Sequence, residues 1–176
     1  GVQTCALPIY PVALNYEDVD LVSIDFEKIN ELSIVGNESS RRLGVLKSLL
    51  FSMEYYVLEN TFNLYIIDDV NRQLKDFKEK MYTEEYTLDY SRIGEIIIDL
   101  EEKFEERYNL LLQNEGGEKI RMPLQIVVIN SKEAIEYISS NKQILERYNK
   151  LVKQYKALGI SFIYSNIEDV NVPYGA

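Results

Sequence analysis

The sequence predicts an α/β domain built on a mainly parallel sheet. Three observations predict it. Short apolar, strand-type runs alternate with amphipathic, helix-type runs along most of the chain. One run, LQIVVIN at residues 124–130, is continuously apolar, the pattern of a strand buried on both faces. A glycine-led loop at Gly36 joins a strand-type run to a helix-type run, as a strand–loop–helix unit requires.

The elements follow in order. Residues 21–27 alternate, with Leu21, Ser23 and Asp25 opposed to Val22, Ile24 and Phe26, which predicts an edge or hairpin strand. The EKIN segment turns it toward a short apolar strand at 32–35. From Arg42 to Glu59 apolar residues recur at Leu46, Leu49, Leu50, Met53 and Val57, the spacing of an amphipathic helix. Residues 63–69, NLYIIDD, read as a buried strand ending in two acids. Residues 75–90 are polar and poorly periodic, a loop with a short helix. Residues 91–113 carry the clearest helix, with Ile93, Ile97, Leu100, Phe104, Tyr108 and Leu111 on one stripe and EEKFEER as the wet face. NEGG ends that helix, and Pro123 opens the apolar strand. A short helix at 131–138 follows, with Ser131 as its N-cap. Another at 141–158 has the stripe Ile144, Tyr148, Leu151, Tyr155, Leu158 and is closed by Gly159. Residues 160–164 form a last strand.

Composition narrows the chemistry. The chain has 176 residues, enough for one domain with a real core, and no apolar run approaches a membrane span. Its net charge is −10, and no basic stripe of the kind that neutralises nucleic-acid phosphates is visible. Lys75, Lys78 and Lys80 are interleaved with Asp76 and Glu79, a solvated face. Histidine is absent and Cys5 is the single cysteine, which excludes Ser-His-Asp and Cys-His catalysis within the chain, disulfide frameworks and cysteine-based zinc sites. Residues 1–9, GVQTCALPI, lack periodicity and charge and resemble a translated sequencing adapter. They are expected to be a non-native leader, with a single incomplete domain over 10–176 that also breaks off at its C-terminus.

The loop at 36–43 sits in the context of a Walker A motif, G-x-x-x-x-G-K-[ST]. In that motif backbone amides cradle phosphates, the lysine holds the β/γ oxygens, and the hydroxyl binds Mg²⁺. Here Gly36 is followed by Asn37, Glu38, Ser39 and Ser40, and then the fixed positions fail. Arg41 stands for the second glycine, Arg42 for the lysine and Leu43 for the hydroxyl. Arginine keeps the charge as a planar fork; leucine cannot bind a metal. The plainer alternative is an ordinary strand–loop–helix connection capped by Ser39 or Ser40.

Two strands compete as carriers of a Walker B acid, which orders Mg²⁺ while a second acid poises water. LYIIDD ends in Asp68 and Asp69, which equally well read as solvated acids starting a turn. LQIVVIN-S fits better by length and apolarity, but Asn130 stands where the metal-binding Asp belongs and Ser131 where the base Glu belongs. The fourteen tyrosines, including Tyr55, Tyr56, Tyr82, Tyr86 and Tyr90, fit either an interface or ordinary core and rim positions.

These signals fall in the order of one family. ELSIVGNESSRRLGVLKSLLFSMEYY resembles the Walker A strand, loop and helix of FtsK/SpoIIIE-type P-loop ATPases. NLYIIDDV occupies the second-strand slot, RIGEIIIDLEEKFEERYNLL resembles the helix with the E-M-E-x-R-Y ending, and MPLQIVVIN takes the Walker B slot. YKALGISFIYSN puts Tyr164, Ser165 and Asn166 at the sensor position. Within the family the degenerate loop and acidity most resemble the C-terminal ATPase-like module of EssC-type motors, which drive type VII secretion in Firmicute-type bacteria.

The resemblance implies a RecA-like, three-layer α/β/α sandwich in which strand 160–164 lies between the Walker A and Walker B strands. The Walker A strand is expected at the centre of the sheet. It implies ATP held weakly through Arg42 and the loop amides, with Mg²⁺ disfavoured and hydrolysis weak or absent. It implies a cytoplasmic module of a membrane-anchored chain, alongside other ATPase modules in a homo-oligomeric, hexameric motor. Secreted WXG100-type proteins are the implied partners, and no direct nucleic acid is. The alternatives are an active translocase of DNA or protein using Asp68 or Asp69, and a lone interaction domain.

Overall fold

A computed structural model describes residues 9–14, 21–25, 30–35, 39–56, 62–114 and 122–167. Five parallel strands form the main sheet in the order β3-β7-β6-β4-β5. Here β3 is Glu31–Val35, β4 Phe62–Ile67, β5 Thr83–Thr87, β6 Leu124–Ile129 and β7 Ile160–Ile167. A separate antiparallel pair joins β1 (Ile9–Leu14) to β2 (Leu21–Asp25). The parallel sheet is as the sequence predicts, and the α/β/α sandwich with β7 between β3 and β6 is as the resemblance implies.

Helix α1 (Ser39–Tyr56) covers one face of the sheet; α2 (Arg92–Gln113), α3 (Lys132–Ser140) and α4 (Lys142–Lys153) cover the other. Strand alternation sorts the two cores. Val127, Ile129, Ile160, Phe162 and Tyr164 face α2–α4, whereas Ile126, Val128, Ile163, Leu64 and Ile66 face α1. The predicted stripes of α1 and α2 are the buried ones. Leu46, Leu49, Leu50 and Met53 are essentially inaccessible, as are Ile93, Ile97, Leu100 and Phe104. Val57 lies outside the described residues.

Several expectations are corrected. Among the described residues β3 is an edge strand and not the central one, and its Leu32 and Ser33 are accordingly only half-buried. β2 pairs with β1, a strand with no sequence reading. Ile9, counted with the leader, pairs with Asp25, while residues 1–8 lie outside the described residues. Helix α1 begins at Ser39, so Ser39 and Ser40 lie within its first turn, and their side chains lie outside the described residues. Leu111, placed on the core stripe of α2, is 47% exposed because the helix runs past the body it packs on. The final helix stops at Lys153, and a separate 3-10 turn, Lys156–Leu158, leads to Gly159 at φ +92°.

The polar segment 75–90 contains β5, which pairs with β4. Its sequence, TEEYT, hides the strand because an edge strand buries little. Leu74 and Phe77, both fully buried, anchor the connection beneath α1. Ties at each side then hold the strand. Glu54 of α1 accepts from Lys80 Nζ and Tyr82 Oη, each at 2.9 Å. Glu85 accepts from Arg92 Nε at 3.0 Å and Nη2 at 2.6 Å, a bidentate pair to the start of α2.

Candidate functional site

In an open parallel sheet, chemistry gathers beyond the carboxyl ends of the strands. Four predicted groups meet that rule here: the loop after β3, Tyr164–Asn166 late in β7, Asn130–Ser131 after β6, and Asp68–Asp69 after β4. Gly36, Asn37 and Glu38 lie outside the described residues. Arg41 is exposed, whereas Arg42 is buried at 9% exposure in the first turn of α1. Leu43, which the sequence reading puts in the slot of a Mg²⁺-binding hydroxyl, packs against the α1-side core. That position therefore serves the core.

Asn130 and Asp68 are neighbours across the β4–β6 pair, and each is 1% exposed. Asn130 Nδ2 donates to Asp68 Oδ1 at 2.9 Å and to Gln73 Oε1 at 3.1 Å, which uses both of its amide hydrogens. Asp68 Oδ1 also accepts from the Asp69 amide at 2.9 Å. Its Oδ2 accepts from the Leu74 amide at 2.8 Å and from Tyr86 Oη at 2.7 Å. The four bonds fill the lone-pair capacity of a carboxylate. Burial first, and then the bond to Asp68, push the Tyr86 phenol well above its ordinary pKa. Asp68 is thus the buried knot that ties the 69–74 turn to β4, β5 and β6. The turn itself contains Arg72 at φ +54°.

Asp69 is spent on the same turn. Its carboxylate accepts from the Asn71 amide at 3.0 Å and Asn71 Nδ2 at 3.2 Å. Ser131 caps α3 as predicted: its Oγ accepts from the Ala134 amide at 3.2 Å and donates to Glu133 Oε2 at 3.3 Å. At the sensor position, Tyr164 points into the α4 side of the core and bonds Tyr148 through its hydroxyl. Tyr148 Oη donates onward to Glu31 Oε2 at 2.5 Å. Ser165 is buried, and the side chain of Asn166 lies outside the described residues.

Among the described residues the donor set does not fit a Mg²⁺ ion. Magnesium wants hard, charged oxygens in near-octahedral array. Leu43 offers none, Asn130 aims its amide at Asp68, and Asp68 has no lone pair left. Among the described residues no group of three or more Asp, Glu, Cys or His side chains converges to hold a metal. Sequence reasoning found Asn130, Ser131 and Asp68, read Tyr86 and Tyr148 only as interface, core or stripe residues, and missed Gln73. They belong to different elements, and only the fold brings them together.

A scan against models of protein families finds no match, and neither does a search of curated proteins. Solved structures do match. The cytoplasmic domain of EssC aligns with a TM-score of 0.74 at 20% identity, covering 93% of this chain and 32% of that one. Thermomonospora curvata EccC (ATPases 2 and 3), solved in complex with a signal sequence peptide, gives 0.69 at 15% identity, covering 89% and 28%. The pCW3 conjugation coupling protein TcpA, solved with ATPγS, gives 0.66 at 17% identity, covering 97% and 51%. The chain therefore spans about a third of the EssC and EccC chains it resembles. Its fold is that of the ATPase modules in EssC and EccC.

Proposed function

We propose that this chain is a degenerate FtsK/SpoIIIE-type ATPase-like module of a type VII secretion motor, with a binding and regulatory role in place of ATP hydrolysis. One observation carries the reading. Asn130 and Ser131, which the resemblance puts in the Walker B slot, both have their side chains committed to structural hydrogen bonds. Loss of a positioned base alone lowers a rate ~10²–10⁴-fold. Loss of the groups that seat Mg²⁺ removes a main source of charge stabilisation in phosphoryl transfer. ATP binds weakly, through Arg42 and the amides at the start of α1, because a helix N-terminus favours anions.

The EccC complex with a signal sequence peptide supports a role in recognising secreted partners, of the WXG100 type by family resemblance. In this reading the module works beside other ATPase modules in a hexameric, membrane-anchored motor of a Firmicute-type cell. Among the described residues no helix is long and apolar enough to cross a membrane. The likeness to the coupling protein TcpA favours a second reading, an active translocase. That reading needs Asp68 or Asp69 as the metal-binding acid, which the four hydrogen bonds accepted by Asp68 and the turn bonds accepted by Asp69 oppose.

Equilibrium binding of fluorescently labelled ATP, with and without Mg²⁺, tests the proposal. The expected result is weak binding that Mg²⁺ does not strengthen and that falls on Arg42→Ala, with unfolding midpoints measured in parallel. Tight, Mg²⁺-dependent binding overturns it.

A further inference from the structure

The C-terminal turns of α2 leave the body of the domain. Residues 109–114 are six consecutive exposed positions. Leu110, Leu111 and Leu112 are 45%, 47% and 57% exposed. Leu111 continues the stripe of Phe104 at heptad spacing, and Leu110 and Leu112 project to either side of it. Three consecutive leucines, each about half exposed, present an apolar surface at this end of the helix.

The solvent face leading to this tip is acidic. Asp99, Glu102 and Glu106 recur at i, i+3 and i+7 and are all exposed. Among the described residues none of the three forms a salt bridge or a hydrogen bond through its carboxylate. The carboxylate of Glu101, on the flank toward α4, differs in being taken by Lys150 at 3.0 Å and by Arg147. With the exposed Glu105 beside it, this stripe gives α2 an acidic outer face that leads to the leucines.

We propose that this end of α2 docks an amphipathic helix whose apolar stripe is flanked by lysine or arginine. Charge selects that occupant. A second copy of this chain brings the same acidic stripe and a net charge of −10, and an anionic membrane is repelled likewise. A basic amphipathic helix satisfies leucines and carboxylates together, in the helix-on-groove mode of peptide recognition. The tip lies at the opposite end of the sheet from the carboxyl ends of the strands, so the inference does not rest on the nucleotide reading.

The test uses three fluorescein-labelled peptides: an amphipathic leucine–lysine helix, a leucine–glutamate helix of the same pattern, and a scrambled leucine–lysine peptide. Fluorescence anisotropy at physiological ionic strength reads binding to the full chain. The patterned leucine–lysine helix is expected to bind at least tenfold more tightly than either control. Replacing all three leucines (Leu110→Ser, Leu111→Ser, Leu112→Ser) is expected to weaken it at least tenfold, and so is Glu102→Gln with Glu106→Gln. These positions are exposed, so circular dichroism and unfolding midpoints should match the parent. Equal binding of the scrambled peptide, or binding that ignores both variants, overturns the proposal. So does sedimentation showing a dimer, or binding to phosphatidylglycerol vesicles, that the leucine replacements abolish.

Discussion

Restoring the missing acid by Asn130→Asp should damage the fold without reviving chemistry. The substitution puts a carboxylate oxygen where Nδ2 stood, 2.9 Å from Asp68 Oδ1, with both residues at 1% exposure. Direct repulsion at that separation, with an effective dielectric constant near 20, is about 6 kcal/mol. Protonating one carboxyl is the cheaper escape. Holding a group with an ordinary pKa near 4 neutral at pH 7 costs about 1.36 kcal/mol per pH unit, or roughly 4 kcal/mol. Protonation therefore sets the penalty. The lost bond to Gln73 adds about 1 kcal/mol. The shared proton raises the folded-state pKa of the new carboxyl above its unfolded value. The variant's deficit should then be smallest below about pH 4 and grow as pH rises toward neutrality. Urea unfolding followed by circular dichroism across that range checks this, with Asn130→Ala as a control that lacks the pH slope. A variant within about 0.5 kcal/mol of the parent at pH 7, or a deficit that does not change with pH, refutes the reasoning.

Other consequences follow from single groups. Arg107, 7% exposed, donates to Leu158 O at 3.0 Å and Pro123 O at 2.8 Å, clamping the entries of β7 and β6. Arg107→Met should cost about 2–4 kcal/mol by stranding two carbonyls, measured as a lower urea midpoint. Gly44 is an exposed helical position whose added Cβ would meet nothing within 4 Å. Gly44→Ala should raise stability by about 1 kcal/mol. Gly159, at φ +92°, would bring a Cβ to 3.3 Å from Leu124 Cδ2, and Gly159→Ala should lower stability by more than about 1 kcal/mol. Burial, then the charge of Glu84, raises the Tyr65 phenol to about 12. Its contribution to stability is full below the unfolded value near 10 and is lost as pH rises through the folded value. An ultraviolet titration, with Tyr65→Phe to assign the phenol, should place it there.

The fold was largely legible because burial writes itself into periodicity. The stripes of α1 and α2 and the unbroken apolarity of β6 identified the layers directly. Legibility failed where burial was partial. β5 is an edge strand with two glutamates and little apolar content, and it is held by Glu54, Arg92 and its pairing with β4. Leu111 matched the core stripe but lies beyond the core's end, a matter of where the body stops and not of pattern. The candidate site was legible at the level of slots. Leu43, Asn130 and Ser131 each occupy a slot that the resemblance assigns to a chemical group, and each has a structural task there. What could not be read was the company of Asp68. Tyr86 and the Leu74 amide reach it through turns whose path no local pattern encodes.

The central claim of the proposal is that Leu43, Asn130 and Ser131, in the slots the resemblance assigns to triphosphate-cleaving groups, serve the fold instead of chemistry. Phosphate release from ATP by the intact chain, with saturating Mg²⁺, tests it most directly. The account predicts no release above a protein-free control, both for the parent and for Asn130→Asp. Sustained turnover by the parent that is abolished by Arg42→Ala or Asp68→Asn, in variants shown to remain folded, would contradict it.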